Sequence, residues 1–196
     1  FLAAQPRAGS APVAAYITTM KGCDERCSFC VVPYTRGPER YRPAAEIIAE
    51  ARAQVAAGAR EILLLGQTVD SFRDPALPPP ASDDPDESQF PWLLRRIAEE
   101  VPGLLRLRYV SPHPRHLTPA LVAAHQDLPV LARHVHLPVQ SGSDRMLRRM
   151  IRRYTRAEYL ERVRRLQAAV PGLTLSSDII VGFPGETEED FAETLA

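Results

Sequence analysis

Five apolar runs, each followed by a stretch with helical signals, constrain the fold of this 196-residue chain more than any other feature. They cover residues 13–19, 61–66, 105–111, 134–139 and 174–182. Their centres, Ile62-Leu63-Leu64-Leu65 and Ile179-Ile180-Val181 among them, are nearly unbroken hydrophobics, the mark of strands covered on both faces. Strands alternating with helices predict a parallel sheet wrapped by helices. Pro43 suits the first turn of a helix that runs to about Ala57 and stops at Gly58, with Ile47, Ile48, Ala51 and Val55 on one face. Thr118-Pro119 is a second start, Thr155 with Glu158 forms a capping box, and Thr187 opens a last helix. A closed eight-fold barrel needs about 250 residues. Five β/α units, the fifth cut short, therefore predict an α/β partial barrel. Residues 1–12 (Ala, Gln, Pro, Gly, Ser) read as a linker from a preceding domain, and 13–196 as the core of a larger protein. The loop at 73–89, which combines Pro78-Pro79-Pro80 with Asp83, Asp84, Asp86 and Glu87, reads as a flexible, solvated insertion more than as a lid.

Composition excludes several classes. At 45% hydrophobic residues the chain can bury one sizeable core. Its 24 basic and 24 acidic residues cancel, so no global field points to a polyanion. No apolar run approaches the ~20 residues that cross a bilayer, and no signal peptide opens the chain. Three clustered cysteines are not a disulfide framework, and thiolates destined for metal need a reducing compartment. The cytoplasm, with no membrane partner, is expected.

Those cysteines, Cys23, Cys27 and Cys30, are the only ones in the chain and follow the first strand as C-x3-C-x2-C. A structural zinc takes four protein ligands, and ordinary ferredoxin loops recruit a fourth cysteine. Three thiolates on one tight loop can hold a cubane iron–sulfur cluster and leave its fourth iron open to a ligand. A zinc knuckle completed by His113 or His136 is the alternative, and three reduced thiols without a role are another. The other strand ends carry Gly66-Gln67-Thr68-Val69-Asp70, Ser111-Pro112-His113-Pro114, Pro138-Val139-Gln140-Ser141-Gly142-Ser143 and Gly182-Phe183-Pro184-Gly185-Glu186-Thr187. Chemistry in parallel barrels gathers at that edge.

The cysteine loop, with Phe29 before its last cysteine, resembles the radical S-adenosylmethionine (SAM) superfamily. Residues 27–37, Arg42-Pro43, 64–67, 111–114, 136–143 and 178–187 are similar to its methylthiotransferases, and to the branch that acts on tRNA. The branch that modifies an aspartate of a ribosomal protein has a Ser-Met pair where this chain has Tyr34-Thr35, and Pro-Leu-Gln-His where it has 138–141. Thr68 and Asp70 stand where asparagines are common, and Tyr41 where serine is; these departures bear on substrate fit and leave the cluster alone.

The resemblance implies an open (β/α)6 barrel and a 4Fe-4S cluster on Cys23, Cys27 and Cys30. SAM chelates the open iron and is cleaved to a 5′-deoxyadenosyl radical, which takes hydrogen from C2 of N6-isopentenyladenosine beside the tRNA anticodon. A methylthio group is then added there; another tRNA adenosine or a protein aspartate is the alternative substrate. Implied SAM contacts are Gly66 and Gln67 near the methionine end, Gln140 and Asp178 near the ribose, and the turn from Gly182 to Gly185 at the adenine, with Phe29 and Ser141 as further cofactor-binding candidates. Asp178 equally reads as a structural turn residue. Arg36 and Arg42 are candidates for a carboxylate or phosphate, His113 for the substrate pocket, and Tyr16, Tyr109 and Trp92 for the core. Nine arginines between residues 145 and 165 form a candidate RNA face, with a merely charged helix face as its rival. Family members also carry an N-terminal domain with an auxiliary 4Fe-4S cluster and a C-terminal TRAM domain. This stretch alone is therefore expected not to complete methylthiolation. A flavodoxin- or ferredoxin-like electron donor and a monomeric state are implied as well.

Overall fold

The structure, a computed structural model, describes residue 1 and residues 12–196; the expected linker lies, except for its two ends, outside the described residues. All five apolar runs form strands, each shorter than its run: β1 (Ala14–Thr18), β4 (Glu61–Leu65), β5 (Arg106–Tyr109), β6 (His134–His136) and β7 (Thr174–Ser176). Two further strands of two residues each, β2 (Met20–Lys21) and β3 (Arg40–Tyr41), pair antiparallel. β1, β4 and β5 form a parallel sheet in that order, with Ile17 opposite Leu64 and Ile62 opposite Leu107. β6 and β7 form a second parallel pair. A parallel bridge between Leu107 and Leu131 joins the two sheets. The Leu107 amide donates to Val130 (2.8 Å) and its carbonyl accepts from Ala132 (2.9 Å). The five strands thus form two parallel sheets, β1-β4-β5 and β6-β7, linked through the residues just before β6, in keeping with the α/β partial barrel that the sequence predicts.

The helices are α1 (Val32–Arg36), α2 (Ala44–Ala56), α3 (Phe90–Glu100), α4 (Pro119–Asp127), α5 (Asp144–Arg149), α6 (Arg156–Ala169) and α7 (Glu188–Leu195). Their starts follow the sequence signals: Thr118 Oγ1 accepts from the Leu121 amide, and Thr155–Glu158 forms the capping box. Thr187 and Asp190 form a second box. α2 packs on α3 and on β1, α3 on α4, and α4 on α6. Ile17, Ile62, Leu64 and Leu107 are wholly buried against Ile47, Ala51, Leu93, Leu94, Ile97 and Leu121.

Three expectations are corrected. The strands are not buried on both faces. β1 and β4 bury alternate residues toward the helices, and the other face is only half covered because five strands do not close a barrel. Tyr16 therefore lies 61% exposed between buried Ala15 and Ile17, and Trp92 is also exposed, whereas Tyr109 packs on the core. Ile179 and Val181 lie beyond β7 and are exposed. The loop at 73–89 is solvated only in its middle. Glu87, Ser88 and Gln89 are buried, Gln89 Oε1 accepts from the Asp74 amide (2.5 Å), and Ser88 donates to the Asp70 carbonyl (2.6 Å).

Candidate active site

β2 and β3 clamp the base of the cysteine loop, with Met20 opposite Tyr41 and Lys21 opposite Arg40. Gly22 turns into the loop at φ +84°, and a Cβ there would run into the Pro38 carbonyl, so only glycine fits. Its amide donates to Gln67 Oε1 (2.8 Å), which ties the loop to the end of β4. The Cys23 amide donates to Gly37 (3.2 Å) and the Cys30 amide to Cys27 (3.0 Å). These bonds bring three free thiols onto one cavity of about 200 Å³.

That cavity opens where the strands end. Its lining is Cys23, Cys27 and Cys30 with Glu25 and Phe29, Gln67 and Thr68 after β4, Ser111 to His113 after β5, and His136, Pro138 and Gln140 around β6. Arg152 and Asp178 complete it. Ser111 (φ +58°) and Gln140 (φ +70°) both sit in the left-handed region, which costs about 1–3 kcal/mol for a non-glycine residue and concentrates at functional sites. Gln140 is fixed by exchange with the neighbouring segment: its amide donates to Asp178 and its carbonyl accepts from Ile180, each at 2.9 Å.

Burial raises the Cys23 thiol above its ordinary value, and the Thr68 hydroxyl, 3.1 Å from Sγ, pulls it part of the way back. Thr68 therefore does touch the cluster loop, against the sequence expectation. Arg152 Nη1 donates to Cys27 Sγ (3.2 Å) and Nε to the Tyr154 hydroxyl (3.1 Å), with the guanidinium 5.2 Å from the Tyr154 ring centroid. Burial works against the Arg152 charge, but Tyr154 and Cys27 more than restore it.

Asp70 is completely buried, and both carboxylate oxygens accept from the His113 amide at 2.9 Å. Burial, with the negative charges of Glu39 and Glu25 adding to it, raises its carboxyl well above the usual range, and the His113 amide offsets only part of this. His113 is lowered well below its ordinary value, first by burial and then by the positive field of Arg152 and its neighbours. Its Nδ1 accepts from the Arg115 amide (3.2 Å). His136, the other candidate fourth zinc ligand, has Nδ1 on Ser176 (2.9 Å) and Nε2 on Asp178 (3.2 Å).

The structure thus gathers Cys23, Cys27, Cys30, Phe29, Gln67, His113, Gln140 and Asp178 on one cavity, and separates the others. Gly66 packs beneath Met20, where a Cβ would come within 2.8 Å of the side chain. Ser141 is buried beside α7, within 3.2 Å of Thr194 Oγ1. Gly182 lines a neighbouring cleft with Phe29, Arg149 and Phe183. Gly185 lies under Arg149, whose Nε and Nη2 hold the Pro184 carbonyl (3.2 and 3.0 Å). Arg42 is no ligand for an incoming anion: it is buried and ion-paired to Glu46 (3.3 Å) and Glu50. Arg36 remains exposed. The nine arginines do not form one face either. Arg145 pairs with Asp190, Arg149 caps the 182–185 turn, Arg152 faces the cysteines, and Arg165 pairs with Glu161. Arg152 was hidden by that charge run, because no periodicity marks the arginine that turns toward the cysteines.

The donor set suits a cluster with an open iron. Three thiols share one cavity, two of them already have protein hydrogen-bond partners, and room remains beside them. Among the described residues no three His, Cys, Asp or Glu side chains converge on a point where a single ion would sit.

A parallel β/α partial barrel with a three-cysteine loop at the C-terminal edge of its strands is the architecture of one superfamily. Residues 17–196 match the model of the Radical SAM superfamily, and the chain belongs to it. It is 72% identical, over 97% of its length, to a tRNA-2-methylthio-N(6)-dimethylallyladenosine synthase from Sorangium cellulosum, and 51% identical over 96% to the synthase of that name from Acidithiobacillus ferrooxidans. The chain spans about 40% of the length of each of these relatives. Among solved structures it resembles the radical SAM methyltransferase TsrM from Kitasatospora setae (TM-score 0.71, 20% identity, 94% of this chain and 33% of that one). It also resembles the cobalamin-dependent radical enzyme OxsB (TM-score 0.69, 16% identity, 93% of this chain and 26% of that one). At such identities the likeness is one of fold.

Proposed function

We propose that this chain carries the SAM-cleaving core of a tRNA methylthiotransferase that modifies C2 of N6-isopentenyladenosine beside the anticodon. The observation that carries the reading is the meeting of all three cysteines with the motifs after β4, β5 and β6, and with Asp178 beyond β7, in one cavity. The 72% identity to a synthase with that printed activity supports the substrate. A 4Fe-4S cluster on Cys23, Cys27 and Cys30 supplies the one-electron reduction of SAM. The chain's own residues do the rest. Gln67 and Thr68 brace the loop from β4, Gln140 and Asp178 offer polar groups for a ribose, and Gly182 to Gly185 let backbone approach a flat base. Phe29 and Pro138 supply apolar wall against water. The same reading places the enzyme in the cytoplasm, with a low-potential flavodoxin- or ferredoxin-like donor, as a monomer, and with the auxiliary cluster on a neighbouring domain. Among the described residues no helix is long and apolar enough to cross a membrane.

Anaerobic reconstitution with iron and sulfide, followed by metal analysis and EPR of the reduced protein with and without SAM, tests the core of this reading. About four irons per chain, lost in Cys27→Ala, and a spectrum that shifts with SAM are expected. Zinc in place of iron, or no response to SAM, would overturn it.

A further inference from the structure

Two residues outside the cysteine triplet reach its sulfurs. Thr68, at the end of β4, is buried with Oγ1 3.1 Å from Cys23 Sγ. In the free thiol either atom can be the donor. A ligating thiolate has no proton, so the hydroxyl must then donate. Arg152 donates Nη1 to Cys27 Sγ at 3.2 Å. Cys30, among the described residues, has no side-chain donor on its sulfur.

The chain invests in placing Arg152. α5 ends in a turn where the Ile151 amide donates to Arg148 (3.1 Å) and the Arg152 amide to Leu147 (2.9 Å). This pattern of paired bonds puts a left-handed residue at the position glycine usually fills. Here it is Ile151, at φ +57°. A β-branched residue there is strained, and such strain persists only where the surroundings enforce it. They do so through the cysteine loop itself: the Ser28 amide donates to Met150 (3.1 Å) and Ser28 Oγ to Arg149 (2.8 Å). Tyr154, against which Arg152 stacks, is fixed in turn by donation to Val139 (2.9 Å) and Pro138 (3.2 Å). The guanidinium is thus held from the α5 turn, the β6 end and the cysteine loop together.

We propose that Thr68 and Arg152 are positioning residues for the cluster, and that they raise its reduction potential by donating hydrogen bonds to two of its three cysteine sulfurs. The inference rests on the cluster reading given above. Reduction adds negative charge that spreads onto the sulfurs, so donors there stabilise the reduced form more than the oxidised one. A charged donor acts more strongly than a neutral hydroxyl, so Arg152 has the larger effect.

The test is an EPR-monitored redox titration of reconstituted wild type, Thr68→Val, Arg152→Gln and the exposed control Arg153→Gln, with iron content measured on each. At a fixed reductant poise the ratio of reduced to oxidised cluster should fall about tenfold in Arg152→Gln, equal to about 59 mV for one electron. It should fall by a smaller factor in Thr68→Val and stay unchanged in the control, all at wild-type iron content. Should Arg152→Gln fail to load iron, the near-isosteric Thr68→Val decides alone. Unchanged potentials in the loaded variants overturn the proposal. A wild type that takes up no iron instead removes the cluster reading, and this proposal with it.

Discussion

At the scale of single residues, Asp70 carries the clearest tension. It is wholly buried, partnered by the His113 amide, and its carboxyl is raised well above the ordinary range by burial. A raised carboxyl favours folding only below the unfolded value of about 3.9 and loses that contribution as pH climbs toward the folded value. At neutral pH it is a net cost. Asp70→Asn keeps an acceptor for the amide and removes the ionisable group. Urea denaturation should show the variant more stable by at least about 1 kcal/mol at pH 7.5, with the gap narrowing as pH falls toward 4. A gap independent of pH would show that burial of charge is not the cause.

At the scale of elements, the turn from α5 to α6 stores strain at Ile151, whose side chain is partly exposed and loses little packing when removed. Ile151→Gly should therefore stabilise the chain by about 1 kcal/mol, or roughly 2–4 °C in Tm. A lower Tm would mean that the side chain's packing outweighs its backbone cost. Element existence was legible in the sequence because it rests on local chemistry: Thr155 with Glu158, Thr118 before Pro119, and unbroken apolar runs. The β2–β3 clamp was not. Two-residue strands have no periodicity, and Met20–Lys21 finds Arg40–Tyr41 only once the cysteine loop has closed. Nor was the anchoring of Glu87 to Gln89, since an acidic loop end looks the same in sequence whether it meets water or the buried Asp74 amide.

Across the whole molecule, stability should depend on pH through histidines buried as neutral rings. His113 and His116 are lowered by burial, and His125, 2.6 Å from the Tyr109 hydroxyl, is lowered to about 4. A lowered histidine leaves the unfolded chain binding more protons below about 6.5. The stability it confers is complete above that pH and drains away as pH falls toward the folded value. Unfolding free energies from denaturant titrations should accordingly fall between pH 7 and pH 5, with a shallower slope in His125→Gln. An identical slope would assign the loss to other groups.

What the sequence determined by itself was whatever depends on neighbours in the chain: five strand-forming runs, their helix caps, and a three-cysteine loop whose spacing leaves a cubane one ligand short. Those features were enough to place the chemistry at the strand ends, because a parallel barrel brings all such ends to one edge. Only the tertiary structure decided which polar side chains meet the sulfurs. It sends Arg42 into a buried pair with Glu50 and turns Arg152 alone among nine clustered arginines toward Cys27. It also sets Thr68 against Cys23 across a gap of 45 residues. The physical reason is that a charged or hydroxyl side chain goes where its burial is best compensated, and the compensating partner is named by packing rather than by proximity in sequence.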